Sequence, residues 1–417
     1  MNLFSIVVLG LVMARAGTQF WLEKLNRRHV LAHSGEVPEA FREVIDEPTY
    51  RKSVQYTLAK STFHQIELAF DTVLLLAVVF SGVLPWFYHS FQQQFGISVW
   101  AGAAFLFSTG VLLSIVGLPF AWHSQFRLED RFGFNTTTQK TWWLDRAKGL
   151  LLALILGYPL LAFILKLVQW SVDLWWLFAF ACVLGFQLLM MVLAPILILP
   201  LFNKFTPLPD GSLRERLLAL GQKTGFHAQS IQVMDGSKRS RHSNAFFTGF
   251  KRFRKIVLFD TLIQQLTEPE LEAVLAHEIG HYKKKHIPKM LLWSAVTLFL
   301  TFYAISVLAR QNWFYEAFGF HNNDIVVALL LFSLLSGVVT FWFSPVAHWW
   351  SRKHEYEADR YAAEATGQPT EIISALRKLN EKNLSNLTPH PIYSGFYYSH
   401  PTLLERESAL KGDPSVS

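Results

Sequence analysis

His277 and His281 stand four residues apart with Glu278 beside the first, a His-Glu-x-x-His spacing. On a helix, residues four apart project from one face, so the two imidazoles can occupy two positions of a tetrahedral zinc ion. Glu278, one residue on, lies beside such a metal but angles away from it. There it can take a proton from a water the metal has acidified and pass it to a leaving amine. The bland reading is a pair of solvated histidines on an amphipathic helix, and context decides between the two. Residues 267–286 supply that context. Thr267 and Glu270 form a capping box and Pro269 fits a first turn, while Leu271, Val274, Leu275 and Ile279 line one apolar face. The spacing predicts a helix of about five turns ending before Pro288.

A catalytic zinc needs a third protein ligand and an open position. One metalloprotease class places a third His six residues after the second and a Gly three after it. Here those positions are Ile287 and Lys284, which excludes that class. Residues 351–365 form a second helical stretch in which Glu355 and Asp359 are four apart. This pair suits a zinc-binding carboxylate one turn from a carboxylate that orients a ligand histidine. It reads equally well as a charged helix face.

These segments must be positioned by a chain that is 51% hydrophobic and only 17% charged over 417 residues, with a mean hydropathy of +0.25. So little charge points to a bilayer rather than a soluble domain. The net charge is +7, but the Lys and Arg residues cluster at the ends of apolar segments, which argues against nucleic acid as a partner. Cys182 is the only cysteine, so no intramolecular disulfide can form.

Six interior segments are long enough to span, at 66–88, 98–122, 149–168, 174–202, 290–309 and 324–347. Residues 3–14 are also apolar, and Ala14-Arg15-Ala16-Gly17 resembles a cleavage site. No basic region precedes it, and the apolar character resumes at Phe20-Trp21-Leu22, which favours an uncleaved first span. Positive charge alternates from loop to loop. It is dense in 18–65, 123–148, 203–289 and after Arg352, and nearly absent from 89–97, 169–173 and 310–323. The alternation places the N-terminus outside and the active site in the cytoplasm. It divides the chain into a membrane region 1–202 with five spans, a zinc-protease insert 203–289, spans six and seven in 290–347, and a cytoplasmic region 348–417. Glu67 and Asp71, near the start of a span, need water or a partner. Pairing with loop arginines is the simpler reading, and lining a water-filled chamber is the other.

HEIGH, two spans, SRKHEYEAD and then YYSHPTLLER together resemble the type I CAAX prenyl endopeptidases, integral-membrane zinc proteases of the gluzincin kind. The stretches DRFGFNTTTQKTWWLDRAKG (130–149), LFNKFTPLPDGSLRERL (201–217) and SNAFFTGFKRFRKIVLFDTLI (243–263) extend the likeness over nearly the whole chain. The resemblance implies a mainly α fold of seven transmembrane helices enclosing a chamber, with a cytoplasmic protease domain carrying a small β-sheet. It implies one Zn2+ per chain with Glu355 as third ligand and Asp359 orienting a ligand histidine. Asn244 would hold the substrate backbone on an edge strand, His400 would stabilise the oxyanion, and Arg406 would contact substrate. Unaided, the sequence reads His400 as a turn cap and Arg406 as a partner for Glu405 or Glu407.

The expected function is hydrolysis of peptide bonds by water activated at zinc. The expected partners are the bilayer and a peptide or prenylated Cys-a-a-X C-terminus, or, in a bacterium, proteins and peptides undergoing turnover. Gly412-Asp413-Pro414-Ser415-Val416-Ser417 contains no dilysine or KDEL-type signal, which favours a bacterial inner membrane over the endoplasmic reticulum of a eukaryote. A heat-shock quality-control protease is an alternative that seven spans disfavour. A non-catalytic channel or transporter is another, and the intact HEIGH with Glu355 disfavours it.

Overall fold

The structure, a computed structural model, describes residues 2–42, 44–226, 229–248 and 255–412. Residues 249–254 of the third resemblance stretch and 413–417 of the terminal one lie outside that range. Among the described residues seven helices are long and apolar enough to cross a membrane: Leu3–Ala32, Glu47–Phe80, Val99–Phe132, Gln139–Trp170, Trp175–Phe202, His286–Leu308 and Ile325–Thr366. Their outer surfaces leave Ile6, Val73, Leu151, Phe163, Leu292 and Val346 exposed. Each would gain roughly 1.5–3 kcal/mol on leaving water, so lipid is the environment these faces require.

Several spans are longer than the hydropathy reading, since 98–122 runs on to Phe132 and 149–168 begins at Gln139, and two others differ further. The expected 66–88 segment is interrupted at Gly82, which adopts φ +83°, and Val83–Phe95 forms a separate helix. In the other direction the helix runs back to Glu47, capped by Asp46, because Tyr50 and Tyr56 are buried against the rest of the protein. Hydropathy detects the lipid-facing part of a helix but not its protein-buried extension. The last span continues likewise past 347 into a helix, Ser344–Thr366, that carries Glu355 and Asp359.

A four-stranded sheet lies between the fifth and sixth spans in sequence, formed by β1 (Phe205–Pro207), β2 (Ser230–Met234), β3 (Ala245–Thr248) and β4 (Lys255–Phe259). The order is β1-β2-β4-β3, with β2 and β4 parallel and the outer pairs antiparallel, so β3 is an edge. The zinc helix, Glu268–Lys283, begins with the expected capping box, in which Glu270 accepts from the Thr267 amide at 2.7 Å. Its apolar face packs Leu271, Leu275 and Ile279 against Leu217 and Leu220 of the helix Ser212–Thr224, Ile256 and Leu258 of the sheet, and Ala362. The helix stops at Lys283 rather than just before Pro288. Lys285 takes φ +57° and the next helix starts at His286, with Pro288 in its first turn.

Between the first two helices and the C-terminal region lies a cavity of about 720 Å3, bordered by Glu23, Ser61, Glu67, Tyr398, His400 and Arg406. Its polar wall holds Glu67, which corrects the expectation of arginine partners. Among the described residues no arginine pairs with Glu67 or Asp71.

Candidate active site

Two helices build the site. Gly280 lets the zinc helix approach the Ser344–Thr366 helix closely: a Cβ at Gly280 would lie 3.0 Å from both the Cα and the carbonyl oxygen of Ala358. That approach brings Glu355 and Asp359 onto the face presented by His277 and His281.

One donor atom from each of His277, His281 and Glu355 lies within 4.8 Å of the others. His277 Nε2 and His281 Nε2 are 3.1 Å apart. Glu355 oxygens lie 3.5 Å from His277 Nε2 and 3.4 Å from His281 Nε2. Tetrahedral ligands at zinc distances of about 2.0–2.1 Å stand about 3.3 Å from one another, close to the spacing of the two imidazole nitrogens and to the distance from each of them to its nearest Glu355 oxygen, Oε2 for His277 and Oε1 for His281. Glu355 Oε2 is buried without a hydrogen-bond partner. Two nitrogens and an orphaned carboxylate oxygen converging in a buried pocket fit a divalent cation.

Each imidazole is oriented from behind. His277 Nδ1 donates to Asp359 Oδ1 at 2.8 Å, which leaves its Nε2 lone pair facing Glu355. Asp359 is held by a bidentate fork, with Arg406 Nε at 2.7 Å from Oδ2 and Nη2 at 2.5 Å from Oδ1. Arg406 is 9% exposed, and its Nη2 is 3.9 Å from Glu355. His281 Nδ1 meets His286 Nδ1 at 2.9 Å, and His286 Nε2 meets Glu357 at 3.0 Å.

Burial pushes the Glu278 carboxyl up to about 6, with the neighbouring Glu355 adding to the effect. Burial pulls the His277 imidazole down, but its hydrogen bond to Asp359 and the nearby Glu355 carboxylate outweigh this and push it up to about 9. A metal would have to displace that proton, which the same carboxylates favour by offering negative charge to a cation. Burial and then the adjacent His277 bring His281 down to about 4, so it stands neutral as a ligand must.

His400 sits at the rim with its side chain 65% exposed and Nε2 3.6 Å from Glu355 Oε1, while Nδ1 meets Ser399 Oγ at 3.0 Å. Asn244 immediately precedes β3, where its Oδ1 accepts from the Ala245 amide at 2.8 Å. The metal ligands, Asp359, Arg406 and His400 are therefore gathered at one site. Arg406 is engaged with Asp359 instead of Glu405. The sequence reading omitted His286 and Glu357; the only signals for them were a histidine closing the lysine run and a carboxylate between two others.

Residues 26–204 match the family described as CAAX prenyl protease N-terminal, five membrane helices, and residues 207–413 match Peptidase family M48. The chain is 34% identical to CAAX prenyl protease 1 of Saccharomyces cerevisiae, over 98% of this chain and 95% of that one. It is 37% identical to a CAAX prenyl protease 1 homolog of Arabidopsis thaliana, over 90% and 91%. The crystal structure of S. mikatae Ste24p matches with a TM-score of 0.91 at 33% identity, covering 98% of this chain and 99% of that one.

Proposed function

The chain belongs to the type I CAAX prenyl endopeptidases, membrane zinc metalloproteases of family M48, and from that premise we propose that it removes the C-terminal residues of prenylated Cys-a-a-X proteins. The observation that carries the chemistry is the convergence of His277, His281 and Glu355 beside Glu278, at the edge of a polar cavity in a membrane protein.

Zinc held by those three residues supplies Lewis acidity towards a water molecule and the scissile carbonyl. Glu278, with its proton affinity raised by burial, takes the proton of the attacking water and delivers it to the leaving amine. His400 faces the open side of the site, where a ring N–H can donate to the developing oxyanion. Among the described strands β3 is an edge whose backbone groups suit an extended peptide, and Asn244, whose Oδ1 accepts from Ala245, would donate its amide Nδ2 to the substrate backbone. Arg406 holds Asp359 with Nε and Nη2, which leaves Nη1 for the substrate at the cavity wall.

The alternation of Lys and Arg between loops supports an N-terminus outside the membrane and a cytoplasmic site.

The test offers the purified protein in detergent a farnesylated Cys-a-a-X peptide and its unprenylated twin, with the cut mapped by mass spectrometry. Release of the terminal tripeptide, faster from the prenylated peptide, is the expected result. Equal cleavage of both at scattered bonds would leave a zinc protease but overturn the substrate assignment.

A further inference from the structure

We propose that His286 and Glu357 are positioning residues for the metal ligand His281, acting as a two-step relay that fixes which of its nitrogens faces the metal. The proposal rests on His281 being a ligand. It concerns a layer of the site that the His-Glu-x-x-His pattern does not contain.

The direction of each hydrogen bond follows from the groups involved. An ionised carboxylate only accepts, and a neutral imidazole has one N–H and one lone pair. Glu357 Oε2 lies 3.0 Å from His286 Nε2, so Nε2 carries the hydrogen and Nδ1 of the same ring is bare. That bare Nδ1 lies 2.9 Å from His281 Nδ1, which must therefore donate. His281 Nε2 is then left with its lone pair, and it is the nitrogen that stands 3.1 Å from His277 Nε2 and 3.4 Å from Glu355. A carboxylate two groups away from the metal thus selects the ligating tautomer.

The surroundings hold the relay in place. His286 is 1% exposed, so water does not compete for either nitrogen. Its ring stacks on that of His354 with centroids 4.0 Å apart and planes 13° from parallel. Lys289 Nζ, 3.9 Å from Glu357, favours the ionised acceptor on which the direction depends. The turn at Lys285, with φ +57°, starts the next helix at His286 and lets it fold back onto His281 five positions earlier. Glu357 lies about 200° around its helix from Glu355 at 3.6 residues per turn, pointing to the start of that next helix instead of to the metal. Glu355, Glu357 and Asp359 thus divide the work: the first binds, and the other two each orient one histidine.

The test uses the full-length protein in detergent, with zinc affinity measured by competition against a chromophoric chelator and thermal melts run with and without zinc. His286→Ala should weaken zinc about 10- to 100-fold, the range for losing a group that orients a ligand. Glu357→Gln should weaken it in the same direction by less. His286→Gln, whose amide oxygen can accept from His281 Nδ1, should recover part of the affinity lost in His286→Ala. Whatever each variant costs the metal-stripped protein, the fall in melting temperature should be larger when zinc is present. Unchanged zinc affinity in both His286→Ala and Glu357→Gln would overturn the relay. So would an equal fall in melting temperature with and without zinc, which would mean His286 only ties helices together. His281→Ala is the separate control: zinc retained there would overturn the ligand assignment beneath the proposal.

Discussion

Gly280 and Ala358 meet backbone to backbone, and the missing Cβ of Gly280 is what allows the histidine-bearing and carboxylate-bearing helices to share one metal site. Gly280→Ala should force them apart by a few tenths of an ångström. Overpacking of this kind costs about 1–3 kcal/mol, while the better helix propensity of alanine returns about 1 kcal/mol. Stability should therefore fall by about 0–2 kcal/mol, and zinc affinity is the sensitive readout. A variant that binds zinc as tightly as the parent would show that the close approach does not set the ligand geometry.

Glu278→Gln should reduce kcat by roughly 10²- to 10⁴-fold, the usual contribution of a positioned acid–base group. It should retain zinc, because Glu278 is outside the converging ligand set. Metal analysis beside a peptide-cleavage assay checks both halves. Loss of zinc together with activity would move Glu278 from proton transfer to structure.

The pH dependence of kcat/KM should show an acid limb at or below about pH 6. Burial raises Glu278 to about 6, and the positive charge of the metal pulls in the opposite direction. The base works only when ionised, so activity rises with pH through this limb. A limb clearly above 6 would require a different titrating group.

The metal-stripped protein should lose stability between about pH 6.5 and 9. His277 is raised to about 9 in the fold against about 6.5 in an unfolded chain, so its stabilising contribution is complete below 6.5 and disappears as pH rises through 9. In the zinc-loaded protein the metal takes the place of that proton, and the slope should vanish. Melting temperatures across this range, with and without a chelator, make the comparison.

Arg406→Ala should destabilise the protein by about 3–5 kcal/mol, because it removes the two-nitrogen fork and leaves the buried Asp359 with His277 as its remaining partner. Arg406→Lys should recover only part, since an ammonium cannot reproduce the two-nitrogen fork. Calorimetry on the two variants and the parent decides. A harmless Arg406→Ala would mean that Asp359 is held well enough by His277 alone.

The zinc helix was legible in sequence because every signal for it is local: a capping box, an apolar period and two histidines at one helical repeat. Glu355 was not resolved by spacing, since an i,i+4 carboxylate pair is also what a solvated helix carries. Only packing against Gly280 distinguishes the two. His286 and Glu357 were invisible because the contact depends on the backbone turn at Lys285, which a run of three lysines does not announce. For Arg406 spacing offers only its neighbours Glu405 and Glu407 and the resemblance offers substrate; neither points to Asp359, which lies 47 residues earlier. The second span was misplaced because hydropathy is blind to the break at Gly82 and to the protein-facing turns from Glu47 onward.

The helix that carries Glu355 follows directly on the last apolar span, and the helix that starts at His286 leads directly back into another. Trp349, exposed in the aromatic position that membrane interfaces favour, precedes Glu355 by six residues, or about 9 Å of helix. Among the described residues only Lys284 and Lys285 separate the zinc helix from the span that starts at His286, and the Glu355 helix is continuous with the last span, so the reactive centre is tied to two membrane-crossing helices. That tie makes the enzyme a candidate depth gauge: a chain anchored in the same bilayer is expected to be cut where its tether brings a bond to the height of the site.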